Sequence, residues 1–228
     1  MVFIITQYLG AGLSWLLLKI FTNFEIRGLK NLKEITRPFV VVTNHESHLD
    51  PQLVGVALFH RPSLFPLRYM AKNELFRVPV LNFLIWILGA FKAHRKTGIG
   101  KSLLTPTRIL EKGGGVIMFP EGRIIKDRPR IGEGRRGAAI LALTTKALLV
   151  PMSLHTPPNY TFFAFLFKRK RIIINIGQPF YLNNLDYPDF SDENTYKATA
   201  VIMQKIGDLY RQHDYAITDK RLGERRGS

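Results

Sequence analysis

"VVVTNHESHLDPQ", Val40 to Gln52, is the stretch whose reading decides the fold. Three β-branched residues, flanked by Phe39 and Thr43, read as a buried strand. Asn44, His45, Glu46, His48 and Asp50 then crowd into the next seven positions. Asp50 and Pro51 read as the start of a helix through about Phe59, with Asp50 as N-cap and Pro51 at the first helical position. Strand, polar loop and helix in that order form the repeating unit of an α/β protein.

The rest of the chain repeats the alternation. "LRYMAKNELF" (67–76) reads as a strand and a short helix, and 101–112 as a helix ending at Gly113-Gly114-Gly115. "VIMF" (116–119) is a short buried strand closed by a turn at Pro120-Glu121-Gly122. A basic loop (123–136) leads to a helix over about 138–146. "ALLVPMSL" (147–154) and "RIIINIG" (171–177) supply further strands, and 194–213 a last helix. The pattern is α/β with a single sheet. We divide the chain into an N-terminal segment and connection (1–37), a main domain (38–215) and a basic tail (216–228), expected to be disordered.

The chain has 228 residues and no cysteine, so disulfides, thiolate zinc sites and thiol nucleophiles are excluded. Its 33 Lys and Arg against 17 Asp and Glu give a net charge of +16, which attracts polyanions: nucleic acid, an anionic membrane or phosphorylated substrates. Residues 2–21, "VFIITQYLGAGLSWLLLKIF", are apolar apart from Gln7, Ser14 and Lys19. A helix of that length is about 30 Å long, enough to cross a bilayer. No basic residue precedes the run and no small-residue cleavage site ends it, unlike a signal peptide. We read it as membrane attachment rather than core burial, either spanning or lying in one leaflet. "PVLNFLIWILGAF" (79–91) is a second apolar segment, too short to span and expected to be buried or interfacial.

Three readings compete for residues 44–50. His45 and Asp50 form a dyad if a turn brings them together, since their spacing would place them about 140° apart on an ideal helix. Alternatively, His45, His48 and Asp50 bind a metal, although no second cluster has zinc-like spacing. In the third reading Asp50 merely caps a helix and the histidines are exposed. The chain offers no G-x-S-x-G nucleophile. "RKTGIGKS" (95–102) fails as a phosphate loop because Arg95 stands where glycine is required. A histidine base without its own nucleophile suits attack by a hydroxyl carried on the substrate.

The combination of motifs is more informative than any one of them. Asn44-His45-Glu46-Ser47-His48-Leu49-Asp50, Gly89-Ala90-Phe91-Lys92-Ala93-His94-Arg95, Phe119-Pro120-Glu121-Gly122 and Val150-Pro151 resemble, in order and spacing, the four motifs of the phospholipid/glycerol acyltransferase family. The resemblance covers about half the chain, 44 to 151. It implies a single mixed sheet flanked by helices, with an N-terminal membrane-binding element. The activity implied is transfer of a fatty acyl chain from a thioester, acyl-CoA or acyl carrier protein, to the sn-2 hydroxyl of lysophosphatidate, giving phosphatidate.

On the same grounds His45 would be the base and Asp50 its orienting carboxylate. Asn44, Arg95, Glu121, Gly122, Arg123, Arg135 and Arg136 would bind substrate, arginine suiting phosphate because its planar fork meets two oxygens. No metal or resident cofactor is implied. Two departures bear on the acceptor: Arg123-Ile124-Ile125 stands where many members have Thr-Arg-Ser, and Arg135-Arg136 where a Phe-Lys pair is common.

The implied location is the cytoplasmic face of a membrane, with anionic lipids as partners and no nucleic acid. "YTFFAFLFKRKR" (160–171) reads equally as lipid-facing or as a strand with a solvated charge run. The rivals are another lysolipid or glycolipid acceptor, a basic nucleic-acid-binding protein, and an acyl-binding protein with an inactive dyad.

Overall fold

A computed structural model of the chain describes residues 2–93, 98–125, 131–156, 171–182 and 191–224. Its elements run α1 (Val2–Phe21), β1 (Asn23–Arg27), β2 (Phe39–Thr43), α2 (Asp50–Leu58), β3 (Leu67–Ala71) and α3 (Pro79–Ile87). There follow β4 (Ala90–Lys92), α4 (Ile99–Glu111), β5 (Gly115–Met118), α5 (Gly137–Thr145), β6 (Leu148–His155), β7 (Arg171–Ile176) and α6 (Asp192–Glu224).

The seven strands form one sheet in the order β1-β7-β6-β2-β5-β3-β4. Every pairing is parallel except β6 with β7, so the sheet is mixed. Strand β2 sits near the centre between β5 and β6, and all five of its residues are buried. A parallel strand covered on both faces needs an unbroken apolar run, which is why Phe39–Val42 carries no alternation of polar residues.

The pleat sends alternate side chains to opposite faces. Phe39 and Val41 join Ile117, Val150 and Met152 beneath α1 and α2. Val40 and Val42 join Val116 and Leu149 beneath α4, α5 and α6, which contribute Leu110, Leu141 and Ile202.

Helix α1 lies along the domain rather than projecting from it. Gln7, Ala11, Ser14 and Leu18 recur at helical spacing on one side, and Ala11 and Leu18 are in the core. The Gln7 amide bonds both backbone groups of Leu67 on β3, donating to its carbonyl (3.0 Å) and accepting from its N–H (2.8 Å). Gln52 of α2 donates to Gly10 O and Ser14 Oγ. On the other side Ile5, Leu9, Leu13, Leu16 and Ile20 are exposed, Leu9 by 65 %. Helix α3 extends this surface: Phe83, Leu84 and Trp86 are exposed, and Trp86 meets Phe3 of α1 edge to face at 4.7 Å.

Several boundaries differ from the sequence reading. Asn23–Arg27, expected within the N-terminal connection, is an edge strand paired with β7. Its five residues alternate polar and apolar too briefly to stand out after twenty apolar ones. The segment 79–91 divides into α3 and the start of β4, with Leu88 and Gly89 between them. Helix α6 continues to Glu224, through much of the tail expected to be disordered. Between His213 and Leu222 there is no glycine or proline to end it. Residues 160–170 lie outside the described residues; Arg171 opens β7.

Candidate active site

The loop from Asn44 to Leu49 leaves the C-terminal end of β2, the edge where open α/β sheets place their ligands. Asp50 is the first residue of α2 rather than its N-cap, and makes no capping bond with its side chain. Its carboxylate turns back into the loop instead. Oδ2 accepts from the N–H of Glu46 (2.6 Å) and of Ser47 (2.9 Å), and lies 2.8 Å from His45 Nδ1. Oδ1 accepts from Ser47 Oγ at 2.5 Å. The side chain is 0 % exposed, and both of its oxygens accept hydrogen bonds from the loop, as a buried carboxylate requires.

This arrangement assigns the imidazole tautomer. Oδ2 is an acceptor, so Nδ1 carries the proton of the neutral ring and Nε2 is left as its acceptor. The His45 side chain is 19 % exposed, enough to meet a substrate from one side. The ring of Phe119 stacks on it, with centroids 4.1 Å apart.

A second loop, after β5, is laced to the first. Glu121 is buried, and its Oε2 accepts from the His45 N–H (2.9 Å) while Oε1 accepts from the Gly132 N–H (2.8 Å). The His45 carbonyl accepts from the Ile125 N–H at 2.8 Å. Burial pushes the Glu121 carboxyl above the ordinary carboxylate range, against the opposing pull of those N–H groups. Gly122 sits at φ 66°, left-handed backbone that favours glycine. A Cβ there would also meet Arg135 Cδ at 2.9 Å, so the arginine stem covers the turn.

The residues expected to bind substrate fall in different settings. Asn44 is buried and spans to β6, its amide donating to Leu154 O and accepting from Leu154 N–H, each at 2.8 Å. Its polar atoms therefore hold the loop rather than face a ligand. Glu121 does the same between the two loops. Arg136 pairs with Asp192 and lies over the Tyr196 ring at 4.6 Å, which commits it to α6. Arg123 and Arg135 are exposed beside the Gly122 turn. Arg95 and its neighbour His94 lie outside the described residues.

His48 is exposed, and among the described residues no three His, Asp or Glu side chains converge as metal ligands. The sequence reading missed the parts played by Glu46, Ser47 and Phe119. Ser47, three before Asp50, carried the one local signal: a hydroxyl within reach of a carboxylate at the next turn.

A mixed α/β sheet, a His-Asp contact at a strand end and a buried glutamate bracing the next loop define a class. Residues 23–155 match the family described as Acyltransferase, and the chain belongs to that family. It is 30 % identical over 178 residues to the 1-acyl-sn-glycerol-3-phosphate acyltransferase of Bacillus subtilis, covering 77 % of this chain and 83 % of that one. It is 26 % identical over 179 residues to the enzyme of the same name from Streptococcus pneumoniae, covering 78 % and 63 %. The fold is similar to that of the crystal structure of the 1-acyl-sn-glycerophosphate acyltransferase PlsC from Thermotoga maritima. The TM-score is 0.66 at 20 % identity, over 90 % of this chain and 79 % of the other.

Proposed function

We propose that the chain transfers a fatty acyl group from a thioester, acyl-CoA or acyl carrier protein, to the sn-2 hydroxyl of lysophosphatidate at the cytoplasmic face of a membrane. The observation that carries this reading is the 2.8 Å contact of His45 Nδ1 with the buried Asp50 carboxylate. It leaves Nε2 to take the acceptor's hydroxyl proton as the oxygen attacks the thioester carbonyl. The C–S bond then breaks, and the imidazolium, stabilised by Asp50, returns the proton to the departing thiolate. A thioester is already activated, so the reaction proceeds in one transfer without a covalent enzyme intermediate.

Arg123 and Arg135 are our candidates for binding the acceptor's phosphate, an assignment supported by their exposure beside Gly122, with Arg95 as a third candidate. Arg136 pairs with Asp192 instead, which supports the first two over it. The relatives' names support lysophosphatidate as acceptor.

The attachment that fits the fold is monotopic. Helix α1 is long and apolar enough to cross a membrane, but its Gln7 side is tied to β3 and its apolar side faces outward together with α3. A net charge of +16 favours an anionic leaflet, at about 1 kcal/mol for each basic residue near the surface.

The test is acyl transfer in detergent micelles, with palmitoyl-CoA and palmitoyl acyl carrier protein tried separately. The parent should turn over lysophosphatidate, and folded His45→Ala should lose roughly 10²- to 10⁴-fold. Transfer to other lysolipids but not to lysophosphatidate would overturn the acceptor. Equal turnover by His45→Ala would overturn the base.

A further inference from the structure

Between His45 and Asp50 in the chain stands Glu46. The Glu46 N–H donates to Asp50, while its carboxylate reaches away to two distant elements. Oε2 accepts from the Thr156 N–H at 2.8 Å and from Thr156 Oγ at 3.2 Å, just beyond β6. Oε1 accepts from the hydroxyl of Tyr210, on α6 and 164 residues further along, at 2.9 Å. Tyr210 and Thr156 are both buried, and the Tyr210 ring stacks on His155 with centroids 4.1 Å apart.

The geometry points to Glu46 as a positioning residue: anchored by Thr156 and Tyr210, it holds the 44–50 loop so that His45 stays aligned on Asp50. The physical case rests on what else restrains this loop. The Asn44 amide pins it where it leaves β2, and α2 pins it where it ends. Between those points His45 is tied by its N–H to Glu121 and by its carbonyl to Ile125, and the two peptides flanking Glu46, through the Glu46 and Ser47 N–H groups, both donate to Asp50 Oδ2. A carboxylate with three donors from two elements fixes the orientation of those peptides and thereby the direction of the Asp50 acceptor. A charge in this setting is justified only by such donors, since half-satisfied it would cost more than an apolar side chain.

The inference depends on the reading of His45 as the base, and its experiment separates the two. Amide hydrogen exchange across 44–50 is compared in the parent, Glu46→Ala, Glu46→Gln and Tyr210→Phe, alongside kcat and KM for palmitoyl-CoA or palmitoyl acyl carrier protein and lysophosphatidate. Glu46→Ala should speed exchange in this loop by at least ~10-fold, leaving β2 and β5 protected. It should lower kcat by about 100-fold, as misplacement of a reacting group does, with KM for both substrates changed less than about threefold.

Glu46→Gln keeps an oxygen for Thr156 and offers its amide to the Tyr210 oxygen, so it should retain kcat within about threefold and the slow exchange. Tyr210→Phe removes one donor and should fall between. If Glu46→Ala does not fold, Tyr210→Phe decides alone. Unchanged loop exchange in the alanine and phenylalanine variants overturns the inference, as does a glutamine variant as impaired as alanine. Should the parent turn over no acceptor, the functional reading fails while the exchange data still judge the positioning.

Discussion

Helices α4 and α1 cover opposite faces of one sheet, yet they distribute their side chains in opposite senses. Helix α4 buries Leu103, Pro106 and Leu110 and turns Lys101, Arg108 and Glu111 to the surface. Helix α1 turns Gln7 and Ser14 toward the protein and presents Leu9, Leu13, Leu16 and Ile20 outward. A single sheet cannot demand both arrangements, and the membrane attachment proposed above accounts for the difference. Polar side chains outside α4 match water, and an unbroken apolar side outside α1 matches hydrocarbon. The inward glutamine is tolerable because both ends of its amide are paired.

The contrast breaks most readily at the outward leucines. Replacing Leu9 and Leu13 together by aspartate should weaken binding to anionic vesicles by about 100-fold or more, from ~1.5–3 kcal/mol for each buried leucine. Leu104→Asp on α4 should leave it nearly unchanged. Sedimentation with vesicles reads both, and equal losses would erase the distinction between the layers.

Gln7→Leu sharpens it from inside. If α1 belongs to the domain, the change strands the Leu67 N–H and carbonyl and costs about 2–4 kcal/mol in denaturant unfolding. In a helix that stood free in lipid, the same change would be neutral or stabilising.

The smallest effect lies at Glu121, which bonds the loop after β2 to its own. Its carboxyl is raised above the ordinary value of 4.5, chiefly by burial. Between the unfolded and folded values the native state binds more protons, so this residue makes stability fall as pH rises through that window. Unfolding titrations of Glu121→Gln should lack that slope, with a pH-independent loss because an amide oxygen replaces only one of two acceptors.

The central strands were legible because burial on both faces writes an unbroken apolar run: Phe39–Val42, Ile172–Ile174 and Leu148–Val150 could hardly be anything else. Edge strands β1 and β4 were not, since one is brief and partly charged and the other has three residues. The His45–Asp50 pairing was expected through a turn. The turn's actual brace was not, because Asn44 finds Leu154 and Glu46 finds Tyr210 across separations of 110 and 164 residues. Asp50 was read as a cap because caps are local, whereas its carboxylate serves the loop behind it. For Asn44 and Glu121 the sequence likewise shows a polar side chain but not the distant backbone groups it bonds.

The two hydrogen bonds between Gln7 and Leu67 have a consequence for the whole molecule. They join the outward leucines and the strand ends into one packed body, so on the monotopic attachment proposed above the waterline across α1 and α3 would also set how high His45 rides above the lipid tails. On that reading residues along the line would act on the reaction without approaching it. Raising or lowering one end of α1 by a single apolar side chain would tilt the domain like an unevenly loaded hull, and carry the imidazole away from the depth at which its substrate's hydroxyl lies.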